Sequence, residues 1–107
     1  MSYRVVITAN AKSNVREYYE RAAKHAPDTA ANWLNRFHAA LQTLAFQPDR
    51  CPLAAENSLV EQEVRQFNFG KRVGTYRALF TIADEEVRIL HIRRAAMGIA
   101  PASEVED

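Results

Sequence analysis

The opening stretch Tyr3-Arg4-Val5-Val6-Ile7 is short and β-branched, which predicts a strand, because such side chains suit a pleated, half-buried surface. The hydrophobic period then lengthens. Val15, Tyr18, Tyr19, Ala22 and Ala23 recur at i, i+3, i+4, i+7 and i+8, which is one face of a helix. Thr8 or Asn10 supplies its cap, since a short side-chain oxygen there accepts from an otherwise orphaned backbone N–H. Pro27-Asp28 breaks this helix and offers Asp28 as the next cap. Ala30, Trp33, Leu34, Phe37, Leu41 and Leu44 keep helical spacing as far as Gln47-Pro48. Two helices of similar length, joined by a few residues, form an antiparallel hairpin most simply.

Residues 48–60 carry two prolines, Cys51 and Asn57-Ser58, and read as a loop returning toward the sheet. Three strands follow, at Val64–Phe69, Thr75–Ile82 and Val87–Ile92. Their spacers, Gly70–Gly74 and Ala83–Glu86, are of hairpin length, so an antiparallel meander is expected. The order is β-α-α-β-β-β: an α+β domain with a helical hairpin packed on one face of a small, mostly antiparallel sheet, around a single core. Along the strand at 75–82, Tyr76, Ala78, Phe80 and Ile82 point to the helices. Arg77, Leu79 and Thr81 point away, and Arg65 is expected beside Arg77. Residues 1–94 make one domain. Residues 95–107 form a tail, frayed or ordered by a partner.

A length of 107 residues confines the chain to one domain, and 48% hydrophobic with 25% charged residues excludes a disordered or fibrous class. No apolar run approaches the ~20 residues that span a bilayer, and MSYRVVIT lacks a secretory signal, so a cytoplasmic protein is expected, with no membrane partner. The single cysteine cannot pair within the chain, and no Cys/His cluster has zinc spacing. Neither a metal nor another cofactor is expected. The net charge of +1 conceals segregation. Residues 64–82 hold Arg65, Lys71, Arg72 and Arg77 without an acid, whereas residues 95–107 hold Glu104, Glu106 and Asp107 without a base. The basic run suits an anionic partner or simple solvation.

Candidate chemistry is sparse. His25, His38 and His91 lack the i, i+4 spacing of a helical metal site, and each is more simply structural. Cys51 follows Arg50, which could lower its pKa, although an inert buried thiol is the simpler reading. Glu17 and Glu20 read as a solvated helix face. There remain Arg65, Arg77, Arg88, Arg93 and Arg94 on the strands, with Lys71 and Arg72 in a hairpin loop. Guanidinium groups bind phosphate bidentately and stabilise its transition state. A metal-independent ribonuclease could be assembled from them, given groups that take and return a proton. His91 and Tyr76 are the candidates, with Tyr76 in the helix-facing register.

These stretches, in this order, carry a family likeness. Trp33-Leu34 with a helix ending before Gln47-Pro48 is followed by Pro48-Asp49-Arg50-Cys51-Pro52-Leu53-Ala54-Ala55-Glu56. Then come Val64-Arg65, Tyr76-Arg77-Ala78-Leu79-Phe80 and Val87-Arg88-Ile89-Leu90-His91-Ile92-Arg93-Arg94. From the first strand to about Ala96 the chain resembles the small toxins of type II toxin–antitoxin systems, the RelE/ParE superfamily, and especially its ParE-like, plasmid-stabilisation branch. The resemblance implies a cytoplasmic toxin held inactive by a cognate antitoxin in a hetero-oligomer. RelE-like members cleave mRNA on the ribosome, and ParE-like members poison DNA gyrase.

The cleaving branch carries two basic residues at alternate positions of the second strand. Arg65 matches the first, and the second falls near Phe67. Arg77 matches the arginine of the next strand. The late arginine falls near Met97, with Arg93 and Arg94 too early, and residues 95–107 lack Tyr, His or Phe for proton transfer. The resemblance therefore implies a ParE-like gyrase inhibitor rather than an enzyme. Arg65, Lys71, Arg72, Arg77, Arg93 and Arg94 would then meet the target or antitoxin. The alternatives are a ribosome-dependent mRNA endonuclease using Arg65, Arg77, Arg94 and His91, or a degenerate, non-toxic relative that binds only the antitoxin.

Overall fold

The structure is a computed structural model that describes residues 2–107, apart from the Val73 side chain. The chain runs β1 (Arg4–Ile7), α1 (Ala9–Ala23), α2 (Pro27–Gln42), β2 (Arg65–Phe69), β3 (Tyr76–Ala83) and β4 (Glu86–Arg94), with short 3-10 turns between and after them. The sheet order is β1-β4-β3-β2. β2, β3 and β4 form the expected antiparallel meander, and β1 pairs with β4 in parallel. The two helices pack together and lie on one face of this mixed sheet, in the expected α+β arrangement.

Thr8 caps α1, its hydroxyl oxygen accepting from the Ala11 N–H at 3.3 Å. Asp28 is not the cap of α2. Ala26 holds that position and Pro27 opens the helix, where a missing N–H costs nothing. Asp28 sits in the first turn instead, where its charge complements the helix dipole.

The helix-side core joins Ala11, Val15, Phe37 and Leu41 to Ala78, Phe80, Val87, Ile89 and Ile92. On β3 the alternation is as expected, with Tyr76 and Ile82 packed against that core. β4 departs from strict alternation. Its register against β3 shifts between Leu79, opposite His91, and Phe80, opposite Ile89, so Leu90 is an extra residue in a β-bulge.

The far face carries a second core, where a single one was expected. Leu79 and Leu90 meet Ala54, Val64, Ala100 and Val105, all buried. Residues 95–107, expected to be frayed or partner-ordered, thus lie packed on this face of their own sheet. The physical reason is that Ala100 and Val105 reach the apolar patch left by Leu79 and Leu90. Gln62 Nε2 donates to the Val105 carbonyl at 2.9 Å and Asn10 Nδ2 to that of Glu104 at 3.3 Å. Arg88 pairs with Asp107 at 2.9 Å.

β1 stops opposite Ile89, while β4 continues to Arg94. Helix α1 covers the edge left over. Asn10 Nδ2 donates to the Leu90 carbonyl (3.0 Å), Asn14 Oδ1 accepts from the Ile92 N–H (3.0 Å), and the Tyr18 hydroxyl accepts from the Arg94 N–H (3.4 Å). These residues stand at i, i+4 and i+8, so one helix stripe does the work of an absent strand.

Candidate functional site

The candidate arginines do not share a face. Directly opposed residues of neighbouring strands point the same way. Arg65 is opposite Phe80 and Arg94 is opposite Tyr76, which places both on the helix side. Arg77 is opposite Arg93, and Arg88 is opposite Thr81, on the far side. The expectation that Arg65 lies beside Arg77 therefore fails. The strand pairing puts them in opposite phase.

Arg77 is internal. Its guanidinium forms a bidentate pair with Glu56, Nη2 to Oε1 at 2.6 Å and Nη1 to Oε2 at 3.0 Å. Nη2 also donates to Gln66 Oε1 at 2.9 Å, and Nη1 to the Gly98 carbonyl at 3.1 Å. Glu56 is fully buried and Arg77 is 8% exposed. Burial alone would raise the Glu56 pKa. Hydrogen bonds from Arg77 and from the Ala100 N–H (2.8 Å) outweigh it and hold the carboxyl below its ordinary value. This pair ties the 55–59 turn, β3 and the tail together.

Two other arginines are also committed to the chain itself. Arg65 donates to the carbonyls of Cys51 (2.6 Å) and Asp49 (3.2 Å) and pairs with Glu63 at 2.9 Å. Arg93 donates through Nε to the Gly98 carbonyl at 3.0 Å and through Nη2 to those of Met97 and Ile99. Gly98, at φ 75° and ψ −151°, has a backbone conformation that essentially only glycine adopts. That conformation aims its carbonyl at both guanidiniums.

Lys71, Arg72 and Arg94 are exposed, and among the described residues no carboxylate lies within ion-pair distance of any of them. The turn at 72–74 lies against residues 95–97, and the Ala95 N–H donates to the Thr75 carbonyl at 2.9 Å, so all three cations share one end of the sheet. At the other end the β3–β4 turn exposes Asp84 and Glu85, beside the Arg4–Glu86 and Arg88–Asp107 pairs. Exposed cations thus gather at one end of the sheet and exposed acids at the other, although Arg65 and Arg77 of the basic run read from the sequence are instead paired with Glu63 and Glu56.

His91 points into the far-side core beneath the tail. It is 6% exposed, and neither ring nitrogen has a hydrogen-bond partner. Nδ1 stands 3.5 Å from Glu104 Oε2 without hydrogen-bond geometry. Burial, opposed by Glu104 and Glu56 and reinforced by Arg93 and Arg77, pushes its pKa below the ordinary imidazole value. Tyr76 lies among rings, 5.1 Å from both Tyr18 and Trp33, and burial pushes its pKa up. Cys51 is buried, and burial raises its pKa despite Arg50 and Arg65. No metal-binding group of His, Cys, Asp and Glu occurs among the described residues, nor any helix long and apolar enough to cross a membrane.

The four groups of the ribonuclease alternative do not come together as a set. His91 and Arg94 border one pocket beside α1, but Arg65 sits at another row of the helix side and Arg77 is buried against Glu56 on the far side. Glu56, Gln66 and Gly98, which fix Arg77, escape the sequence reading. A glutamate in a loop and a glycine in a tail carry no local signal of a partner 21 residues distant.

The fold is similar to that of a solved structure described as a chromosomal ParDE TA system from P. aeruginosa. Its TM-score is 0.70 at 18% identity, and the match covers 87% of this chain and 96% of that one. No curated protein sequence matches the chain. The family model described as "ParE toxin of type II toxin-antitoxin system, parDE" matches residues 5–99. The chain belongs to this ParE toxin family.

Proposed function

We propose that this toxin arrests DNA replication by acting on DNA gyrase in the cytoplasm, and that an antitoxin encoded beside it holds it inactive. Such a pair would stabilise the replicon that carries it. The observation that carries this reading is the ParE family match over residues 5–99, made by a chain in which Arg65 and Arg77 are held away from Arg94 and His91. Arg77 is spent on Glu56, and His91 lies under the tail. Each acid or base missing from a cleavage site costs on the order of 10²–10⁴-fold in rate. The exposed cations Lys71, Arg72 and Arg94 supply the surface for an anionic partner, with Arg93 beside them.

The test is pulse labelling after induced expression without an antitoxin, following DNA and protein synthesis separately. The expected result is a prompt fall in DNA synthesis while translation continues. Alanine at Lys71, Arg72 and Arg94 together abolishes this effect without unfolding the chain. A prompt fall in translation would make the chain an mRNA endonuclease. No effect on either would leave a non-toxic, antitoxin-binding relative.

A further inference from the structure

Between the middle of α1 and the end of β4 lies an open pocket of about 240 Å³, walled by Asn14, Tyr18, Arg21, His91, Arg94 and Met97. Its cations outnumber its anions. Arg21, Arg93 and Arg94 line it against one carboxylate, Glu17, which makes an exposed pair with Arg21 at 3.2 Å. Such exposed i, i+4 pairs are weak, so Arg21 can change partner at little cost. Arg94 has no carboxylate partner among the described residues. The Tyr18 hydroxyl spends its proton on the Met97 sulfur at 3.5 Å, a poor acceptor that a carboxylate oxygen would displace. His91 also borders the pocket, though its ring is turned under the tail toward Glu104.

The remaining walls are Ile92 and Met97, the latter 55% exposed. A pocket with cations at its mouth and aliphatic sides suits a carboxylate on a short hydrocarbon stem. It does not suit a nucleic-acid strand, which needs open ring faces for its bases. The Tyr18 ring is packed edge-to-face against Tyr76 and is not such a platform.

We infer that this pocket receives a glutamate side chain from an acidic peptide segment, with the carboxylate held by Arg94, Arg21 and the Tyr18 hydroxyl. The inference rests on the toxin–antitoxin reading, and it locates one anchor point of the partner.

The test is an NMR titration of the ¹⁵N-labelled full chain at low ionic strength. The probe is an end-blocked decapeptide of alternating leucine and glutamate, with a leucine–glutamine peptide as control and oligothymidylate as competitor. The backbone signals of Ile92–Arg94 and the Nε–H signals of Arg21 and Arg94 should move with the glutamate peptide and not with the control. Arg94→Gln and Tyr18→Phe should each weaken binding about tenfold, whereas Arg36→Gln on α2 should not. Equal binding of the glutamine peptide, shifts confined to another surface, or displacement by oligothymidylate would overturn the assignment. If the chain still arrests DNA synthesis while the pocket stays silent, the pocket alone fails. If the pocket binds but growth is untouched, the toxin reading fails and the pocket stands.

Discussion

Arg77 and Arg93 stand directly opposite each other on adjacent strands, pointing the same way, and the Gly98 carbonyl accepts from both, at 3.1 and 3.0 Å. Like charges so placed repel. Glu56 is what makes the arrangement tolerable, because it supplies a full negative charge to Arg77 and takes the Ala100 N–H as well.

Removal of either partner of the buried pair should therefore be severe. Glu56→Leu or Arg77→Met alone is expected to cost about 3–5 kcal/mol, because one uncompensated polar group remains inside. The double replacement Glu56→Leu with Arg77→Met should cost clearly less than the sum. Urea denaturation of the two single variants and the double variant measures this. An additive result would mean that the two groups are not coupled.

Acid should destabilise the fold by two routes. Glu56 has a folded pKa below its ordinary value of 4.5, so its contribution is complete above that pH and is lost as pH falls through the folded value. The His91 pKa is depressed below 6.5, so the unfolded chain gains a proton first, and stability declines as pH drops below 6.5. His91→Leu should flatten the upper limb and leave the lower one in place. Thermal melts between pH 7.5 and 4 separate the two.

The helix stripe that caps β4 can be tested at its centre. Asn14→Ala leaves the partly buried Ile92 N–H without an acceptor and should cost about 1–3 kcal/mol. Hydrogen exchange of the Ile92 amide should accelerate out of proportion to neighbours on the β3 side. Uniform acceleration would instead indicate a global loss of stability.

The tail should behave as part of the folded unit. Val105→Ala removes a fully buried side chain from the far-side core and should cost about 1–3 kcal/mol. The loss should appear in the single main unfolding transition. A separate low-temperature event would mean that the tail unfolds by itself.

The element order was legible because each element follows one rule over several residues. Val15, Tyr18 and Ala22 hold a helical period, and Tyr76 to Ile82 alternate without interruption. The Asp28 assignment missed because a proline at the first helical position competes with a capping carboxylate for the same boundary. The site was less legible. Whether Arg65 shares a face with Arg77 depends on pairing between separate strands, which neither segment encodes alone. The fate of Arg77 turns on Glu56, Gln66 and Gly98, brought together only by tertiary folding. The tail misled for a related reason: its acidic, sparsely apolar sequence conceals Ala100 and Val105, two small side chains that suffice to seat it.

The extra residue at Leu90 divides β4 into two runs of opposite parity. Val87 and Ile89 face the helices by odd number, while Ile92 and Arg94 do so by even number. With no bulge, His91 and Arg93 would be driven into the helix-side core and Ile92 would be turned under the tail. Deleting Leu90 would preserve which way every later side chain points, whereas inserting one more residue into a straightened strand would reverse them all. A single unpaired residue thereby decides that Arg93 is gathered in by the tail while Arg94 is left at the mouth of the pocket.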